Sequence, residues 1–194
     1  MLWVVKIGGS LATDGRLLEW LEILSASKQA IVIVPGGGSF ADQVRDLQTQ
    51  WQFSDETAHH MAILAMRQYG LMLAGLSPDF ECCETVQTIK KHLDQGFFSM
   101  IWLPFLEELQ QDQVAASWDV SADSLAAWLC AKLNADRLIL IKAADMADHQ
   151  DSSIQSLQRA NIVDRAFKQM MDNVYCPLTV LGCDQPGLFV QLDA

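Results

Sequence analysis

The sequence predicts an α/β protein built on a mainly parallel sheet, and three observations carry that expectation. Residues 2–7, apart from one lysine, and 30–34 are apolar runs with no polar alternation, the pattern of strands buried on both faces. Each run breaks into a glycine turn, Gly8-Gly9-Ser10 and Gly36-Gly37-Gly38-Ser39. Each turn leads into a segment with apolar residues at helical spacing, so two strand, loop and helix units fall within about fifty residues.

The first strand carries a single lysine, Lys6, at its carboxyl end, where ligands bind in open α/β sheets. An ammonium half inside a sheet costs free energy unless an anion meets it, and bare amides at Gly8 and Gly9 would favour the same anion. A phosphate cradle follows, although a lysine snorkelling out of a strand end explains this stretch equally well. Asp14-Gly15 reads as a turn, and Leu17, Trp20, Leu21 and Leu24 give the first helix its apolar face. Phe40, Val44 and Leu47 do the same for the second.

A long helix is expected from Ser54 to Leu76, opened by Ser54 as N-cap and by the first-turn acids Asp55 and Glu56. His59 and His60 point about 100° apart on it, so they do not chelate one metal and read as packing or surface residues. Met61, Met66 and Met72 read as filler of the core or of an oligomer contact. A short strand at Cys82-Cys83, a helix from Thr85 to Leu93 and an apolar strand from Phe97 to Leu103 follow. Ser121 is the expected N-cap of a helix whose buried stripe is Leu125, Leu129 and Leu133. Asp123 in its first turn is by default an acid that complements the helix dipole, worth roughly 0.3 to 1 kcal/mol. Residues 137–142 form the next strand, and it too ends in a lysine, Lys142. Residues 150–160 read as polar and partly irregular, 163–171 as helix, and 178–181 and 188–190 as the last strands.

With 194 residues, 51% of them hydrophobic, the chain builds one core, and a single domain spanning 1–194 is expected. A net charge of −11 argues against nucleic acid or an anionic membrane as partner, so a phosphorylated substrate would need a local basic site. Five cysteines, an odd number with no C-x-x-C pair, read as reduced thiols, and no apolar run is long enough to span a bilayer. A soluble, cytoplasmic protein is expected.

The P-loop pattern is absent. Gly36 to Ala41 satisfies the loose dinucleotide pattern G-x-G-x-x-[G/A], but Asp55 and Glu56, the acids at the right distance, begin a helix instead of tipping a strand. What fits is an ordered series: Lys6-x-Gly8-Gly9-Ser10, then Pro35-Gly36-Gly37-Gly38, then Ser121-x-Asp123, then Lys142-x-x-Asp145. This series resembles the amino acid kinase superfamily of acetylglutamate, aspartate, uridylate and isopentenyl phosphate kinases. Residues 117–128 and 162–167 look most like the phosphate kinases of methanofuran synthesis and their relatives in methylotrophs.

The resemblance implies a three-layer αβα sandwich and ATP-dependent phosphoryl transfer with Mg²⁺, in which two anions meeting in an acidic protein require at least two fixed positive groups. It implies that Lys6, Gly8, Gly9 and Ser10 hold the β and γ phosphates, and that Lys142 and Asp145 contact the nucleotide. Gly36, Gly37, Gly38 and Arg45 would hold the acceptor, a phosphate monoester, and Asp123 would orient the lysines. Lys168 is the candidate for a second catalytic cation. A homo-oligomer is implied, with the methionine-rich helix as candidate contact. One departure stands out: Asp145 is followed by Met146 where relatives have glycine. A carboxylate kinase of the acetylglutamate or aspartate type, or a non-catalytic nucleotide- or oxyanion-binding protein, are the competing readings.

Overall fold

Six parallel strands form one sheet in the order β3-β4-β2-β1-β5-β6. They are β1 (Leu2–Ile7), β2 (Ala30–Pro35), β3 (Glu81–Cys83), β4 (Ser99–Trp102), β5 (Arg137–Lys142) and β6 (Leu178–Gly182). This is a computed structural model, and it describes residues 1–13, 15–143 and 153–194. The helices are α1 (Leu17–Ser25), α2 (Gly38–Trp51), α3 (Asp55–Leu76), α4 (Val86–Asp94), α5 (Leu106–Gln111), α6 (Ala122–Leu133), α7 (Ile154–Arg159), α8 (Phe167–Met171) and α9 (Pro186–Asp193).

The period-2 alternation of the strands divides the interior into two apolar layers. Val4, Val32, Leu138 and Leu140 face the layer that contains the buried side of α6. Trp3, Val5, Ile7, Ile31, Ile33, Ile139 and Ile141 face the layer that contains α1 and Phe189. Helix α3 serves both, placing Ile63 and Met66 in the first and Tyr69 and Leu73 in the second. The result is the expected three-layer αβα sandwich. From β1 the chain passes to β2, skips out to β3 at the edge, comes back to place β4 between β3 and β2, and then crosses to the other flank of β1 as β5. The strand order therefore reverses between β1 and β5, and crevices open beyond the carboxyl ends of strands at such a switch point.

Ser54 caps α3 by accepting from the Thr57 amide at 3.2 Å, as its position predicts. His59 is a packing residue and Met66 a core one, whereas Met61 and Met72 are half-buried. Three stretches differ from expectation. Residues 188–190 belong to helix α9, with Pro186 at its start, and Phe189 packs edge-on against Trp3 at 5.7 Å and Trp20 at 6.1 Å. A run of three apolar residues cannot separate a strand from the buried face of a helix. Within 163–171 only Phe167–Met171 is helical, and the polar stretch before it contains α7, capped by Ser153. Among the described residues no helix is long and apolar enough to cross a membrane.

Candidate active site at the switch point of the sheet

Because β1 and β5 are neighbours, with Lys6 opposite Leu140, their lysines emerge side by side at the carboxyl edge. Asp123, in the first turn of α6, lies between them. Lys6 Nζ is 3.0 Å from Asp123 Oδ1, and Lys142 Nζ donates to Oδ2 at 2.5 Å. The Lys6 contact meets the distance of an ion pair but not hydrogen-bond geometry, so Oδ1 is paired by charge alone. Asp123 is 4% exposed and Lys6 7%, so an exposed dipole-complementing acid is not what Asp123 has become. Burial pushes its carboxyl pKa up, but the charges of Lys6 and Lys142 together outweigh burial and hold it below the ordinary value. Burial is also the largest influence on Lys142, and with the like charge of Lys6 it lowers that ammonium to about 8 despite Asp123. Two cations and one anion leave the cluster with one net positive charge at neutral pH.

The glycine turns meet backbone to backbone. A Cβ on Gly9 would lie 2.2 Å from the Gly38 nitrogen, and one on Gly36 would lie 2.5 Å from the Gly9 nitrogen. No side chain fits between them, and Gly38 adopts φ +55°, a conformation glycine takes freely. Two amides of the expected cradle are already engaged: Gly8 donates to the Ile141 carbonyl at 3.0 Å and Gly36 to that of Ile7 at 2.9 Å. Gly8 therefore extends the β1–β5 ladder and offers no bare amide to a phosphate. The amides left without helical acceptors are those opening the 3₁₀ turn at Gly9–Thr13 and the first turn of α2. Beneath, the buried Tyr69 hydroxyl donates to the Gly8 carbonyl at 3.5 Å.

Two cavities share this floor. One, of about 750 Å³, touches Lys6, Asp123, Lys142 and residues 161–165. The other, of about 260 Å³, touches Lys6, Gly9, Ser10 and Gly36–Gly38. Lys6, Arg45 and Ser121 border both. Arg45 is held at the boundary by Asp42, 2.8 Å away, and by stacking 4.5 Å over the Trp118 ring. The structure does not bring Lys168 here: it is exposed on α8 and borders neither cavity, and the second cation of the cluster is Lys142. Asp145 and Met146 lie outside the described residues.

One contributor was not foreseen. Asp164 sits across the start of α6, its Oδ2 accepting from Ser121 N at 2.9 Å, Ser121 Oγ at 2.6 Å and Ser124 N at 3.1 Å. Its Oδ1 accepts from Ser124 Oγ. This carboxylate caps, from another segment, the helix turn that carries Asp123. Its signals in the sequence were its place within 162–167, one of the two stretches that carry the narrower resemblance, and the apolar pair Ile162-Val163 before it.

Residues 1–161 match the model of the amino acid kinase family. The [5-(aminomethyl)furan-3-yl]methyl phosphate kinase of Methanocaldococcus jannaschii is 30% identical over 144 residues, which cover 73% of this chain and 66% of that protein. The match thus spans just under two thirds of that relative's length. Uridylate kinase from Archaeoglobus fulgidus shares the fold with a TM-score of 0.72 at 17% identity, covering 99% of this chain and 95% of the other. UMP kinase from Ureaplasma parvum does so with a TM-score of 0.69 at 18% identity, covering 99% and 94%. The relative and both structural neighbours are kinases, and the family model takes in the motif series from Lys6 to Lys142. The chain belongs to the amino acid kinase family.

Proposed function

We propose that this protein is an ATP-dependent phosphotransferase that moves the γ-phosphoryl group onto a phosphate monoester of the kind named for its relative, an aminomethylfuran-methyl phosphate, giving a diphosphate. The observation that carries the reading is the Lys6-Asp123-Lys142 cluster, set where the glycine-turn cavity and the larger cleft adjoin. In phosphoryl transfer charge spreads over the equatorial oxygens, so fixed cations and amides supply most of the catalysis. Lys6 borders both cavities and so would contact both the donor's terminal phosphates and the acceptor. Lys142 would hold the donor side, and Asp123 would keep the two ammoniums parallel and charged. The amides opening α2 and the 3₁₀ turn, with Arg45, would hold the acceptor's phosphate.

Two cations, Lys6 and Arg45, beside Gly36–Gly38 support a phosphate over a carboxylate as acceptor, although Asp42 offsets part of the Arg45 charge. Among the described residues no three His, Cys, Asp or Glu side chains gather as a metal cage. A Mg²⁺ bound to the triphosphate would neutralise charge developing on the phosphate oxygens. A homo-oligomer would use α3, whose Leu64 and Leu71 are 58% and 56% exposed.

The test is ADP release with Mg²⁺ and ATP in the presence of the furan phosphate, UMP, acetylglutamate or aspartate. Turnover is expected with the furan phosphate, and Lys6→Ala is expected to lower it at least 100-fold. ATP binding without transfer to any acceptor would replace this reading with that of a non-catalytic nucleotide-binding protein.

A further inference from the structure

The five cysteines are not equivalent. Cys82 and Cys83 follow each other along β3 and so face opposite sides of the sheet, and the Cys83 sulfur lies 3.6 Å from His92 Nδ1. Cys183 belongs to the layer of α1. Cys130, in α6, and Cys176, in the turn that leads into β6, share the other layer, and their sulfurs are 3.3 Å apart although 46 residues separate them in the chain. The pair is asymmetric: Cys130 is 1% exposed, whereas Cys176 is half-buried and is the one open to solvent.

We infer that Cys130 and Cys176 form an oxidative modification site, at which a hydroperoxide converts the two thiols into a reversible disulfide that ties the segment before β6 to α6. The Cys176 thiolate attacks a peroxide oxygen; an S–O bond forms, the O–O bond breaks, and the departing hydroxide takes a proton to become water. The Cys130 sulfur then attacks the Cys176 sulfenic acid; the S–S bond forms, the S–O bond breaks, and the hydroxide leaves as a second water with the Cys130 proton. Two thiols and one peroxide thus give one disulfide and two waters, the sulfurs supplying the two electrons. A thiol reductant reverses the change, as is usual for disulfides formed among reduced proteins.

Burial first, then the hydrogen bond with Cys176 and the nearby Asp136 carboxylate, push the Cys130 thiol pKa up, so Cys130 resolves the reaction and does not begin it. Closing the gap from 3.3 Å to the roughly 2.05 Å of a disulfide asks for about 1.3 Å of movement. Cys176 can supply it, because 172–177 lies between α8 and β6 in neither helix nor strand. Asp164 already holds the start of α6 through Ser121 and Ser124, and α8 packs on α6 below it. The disulfide would fasten the far end of the same segment. Asp123 lies seven residues before Cys130, about 10 Å along the helix, and neither cysteine borders the two cavities of the cleft.

The test treats the reduced, full-length protein with hydrogen peroxide, blocks remaining thiols with N-ethylmaleimide and digests it without reductant. Mass spectrometry should show the Cys130 and Cys176 peptides joined, and dithiothreitol should free both. A bond that closes a loop of this length restricts the unfolded chain, so oxidation should raise the melting temperature by at least about 5 °C, reversibly. Cys176→Ser, at a half-buried position, should keep the fold and show neither the joined peptides nor the rise. Cys130→Ala should instead accumulate the Cys176 sulfenic acid, trapped by dimedone; should that variant fail to fold, the wild type and Cys176→Ser decide. Absence of the cross-link, a bond through other cysteines or between two molecules, dimedone trapping at Cys130 in Cys176→Ser, or a melting temperature unmoved by the cross-link would each overturn the inference.

Discussion

The two walls of the cleft are built on opposite principles. On one side, the turns after β1 and β2 touch through Gly9, Gly36 and Gly38, and the wall exists because side chains are missing. On the other, the start of α6 is fixed by carboxylates: Asp123 between two lysines, and Asp164 accepting four hydrogen bonds from Ser121 and Ser124. The first wall depends on close approach between backbones, the second on charge and directed hydrogen bonds. A substitution that damages one should leave a different signature from damage to the other.

The largest expected effect is on the charged wall. Asp123→Asn leaves two buried ammoniums without a counter-charge, and a loss of about 3 to 5 kcal/mol is expected, read by urea denaturation. Phosphoryl transfer should fall together with it by at least 100-fold. Full activity in a variant that melts normally would remove Asp123 from the mechanism.

On the glycine wall, Gly9→Ala forces a Cβ into the Gly38 backbone and should destabilise by about 3 kcal/mol while widening the turn. Gly75→Ala on α3, where a Cβ meets nothing within 4 Å, should instead stabilise by about 0.5 to 1 kcal/mol. Equal responses of the two variants would show that the contact between the turns is not tight.

Asp164→Asn should cost about 2 kcal/mol, because an amide cannot accept from all four donors. Hydrogen exchange should then quicken at the Ser121 and Ser124 amides before it does in the sheet. Unchanged protection there would show that the capping by Asp164 contributes little.

A last effect is one of pH. The folded Lys142 ammonium, at about 8, lies below its ordinary 10.5, so between those values the unfolded chain binds more protons. On this group's account stability rises as pH climbs from 8 to 10.5, and the gain is lost as pH falls through 8. Nucleotide affinity should move the other way, falling above pH 8, because the phosphates require the charged form. Calorimetry in buffers of different ionisation enthalpy should show proton uptake on ATP binding at pH 8.5, and no uptake would place Lys142 away from the phosphates.

The same contrast explains what could be read before the structure. The strands β1, β2 and β5 show as unbroken apolar runs because both faces are covered, and the caps Ser54 and Ser121 and the glycine turns act within a few residues of themselves. Lys6 and Lys142 were legible as lysines at strand ends on one edge of a parallel sheet, whereas Asp123 by itself read as a dipole-complementing acid and joined them only through the resemblance to the amino acid kinases. Asp164 was not legible as a cap, since the Ser124 amide it caps lies 40 residues away. Nor was the engagement of the Gly8 amide by Ile141, which depends on β5 being the neighbour of β1. Lys168 had the right charge, but the chain turns at 164–166, and the helix it rides begins only at Phe167.

The cluster's single net positive charge sits inside a molecule whose formal total is −11. Ionic screening confines its pull to about 8 to 10 Å at physiological salt, so a polyphosphate still in bulk solvent meets mostly repulsion. Capture is therefore not a matter of long-range guidance. On the proposed reading, anions would enter by diffusion and their residence would be decided inside the cleft.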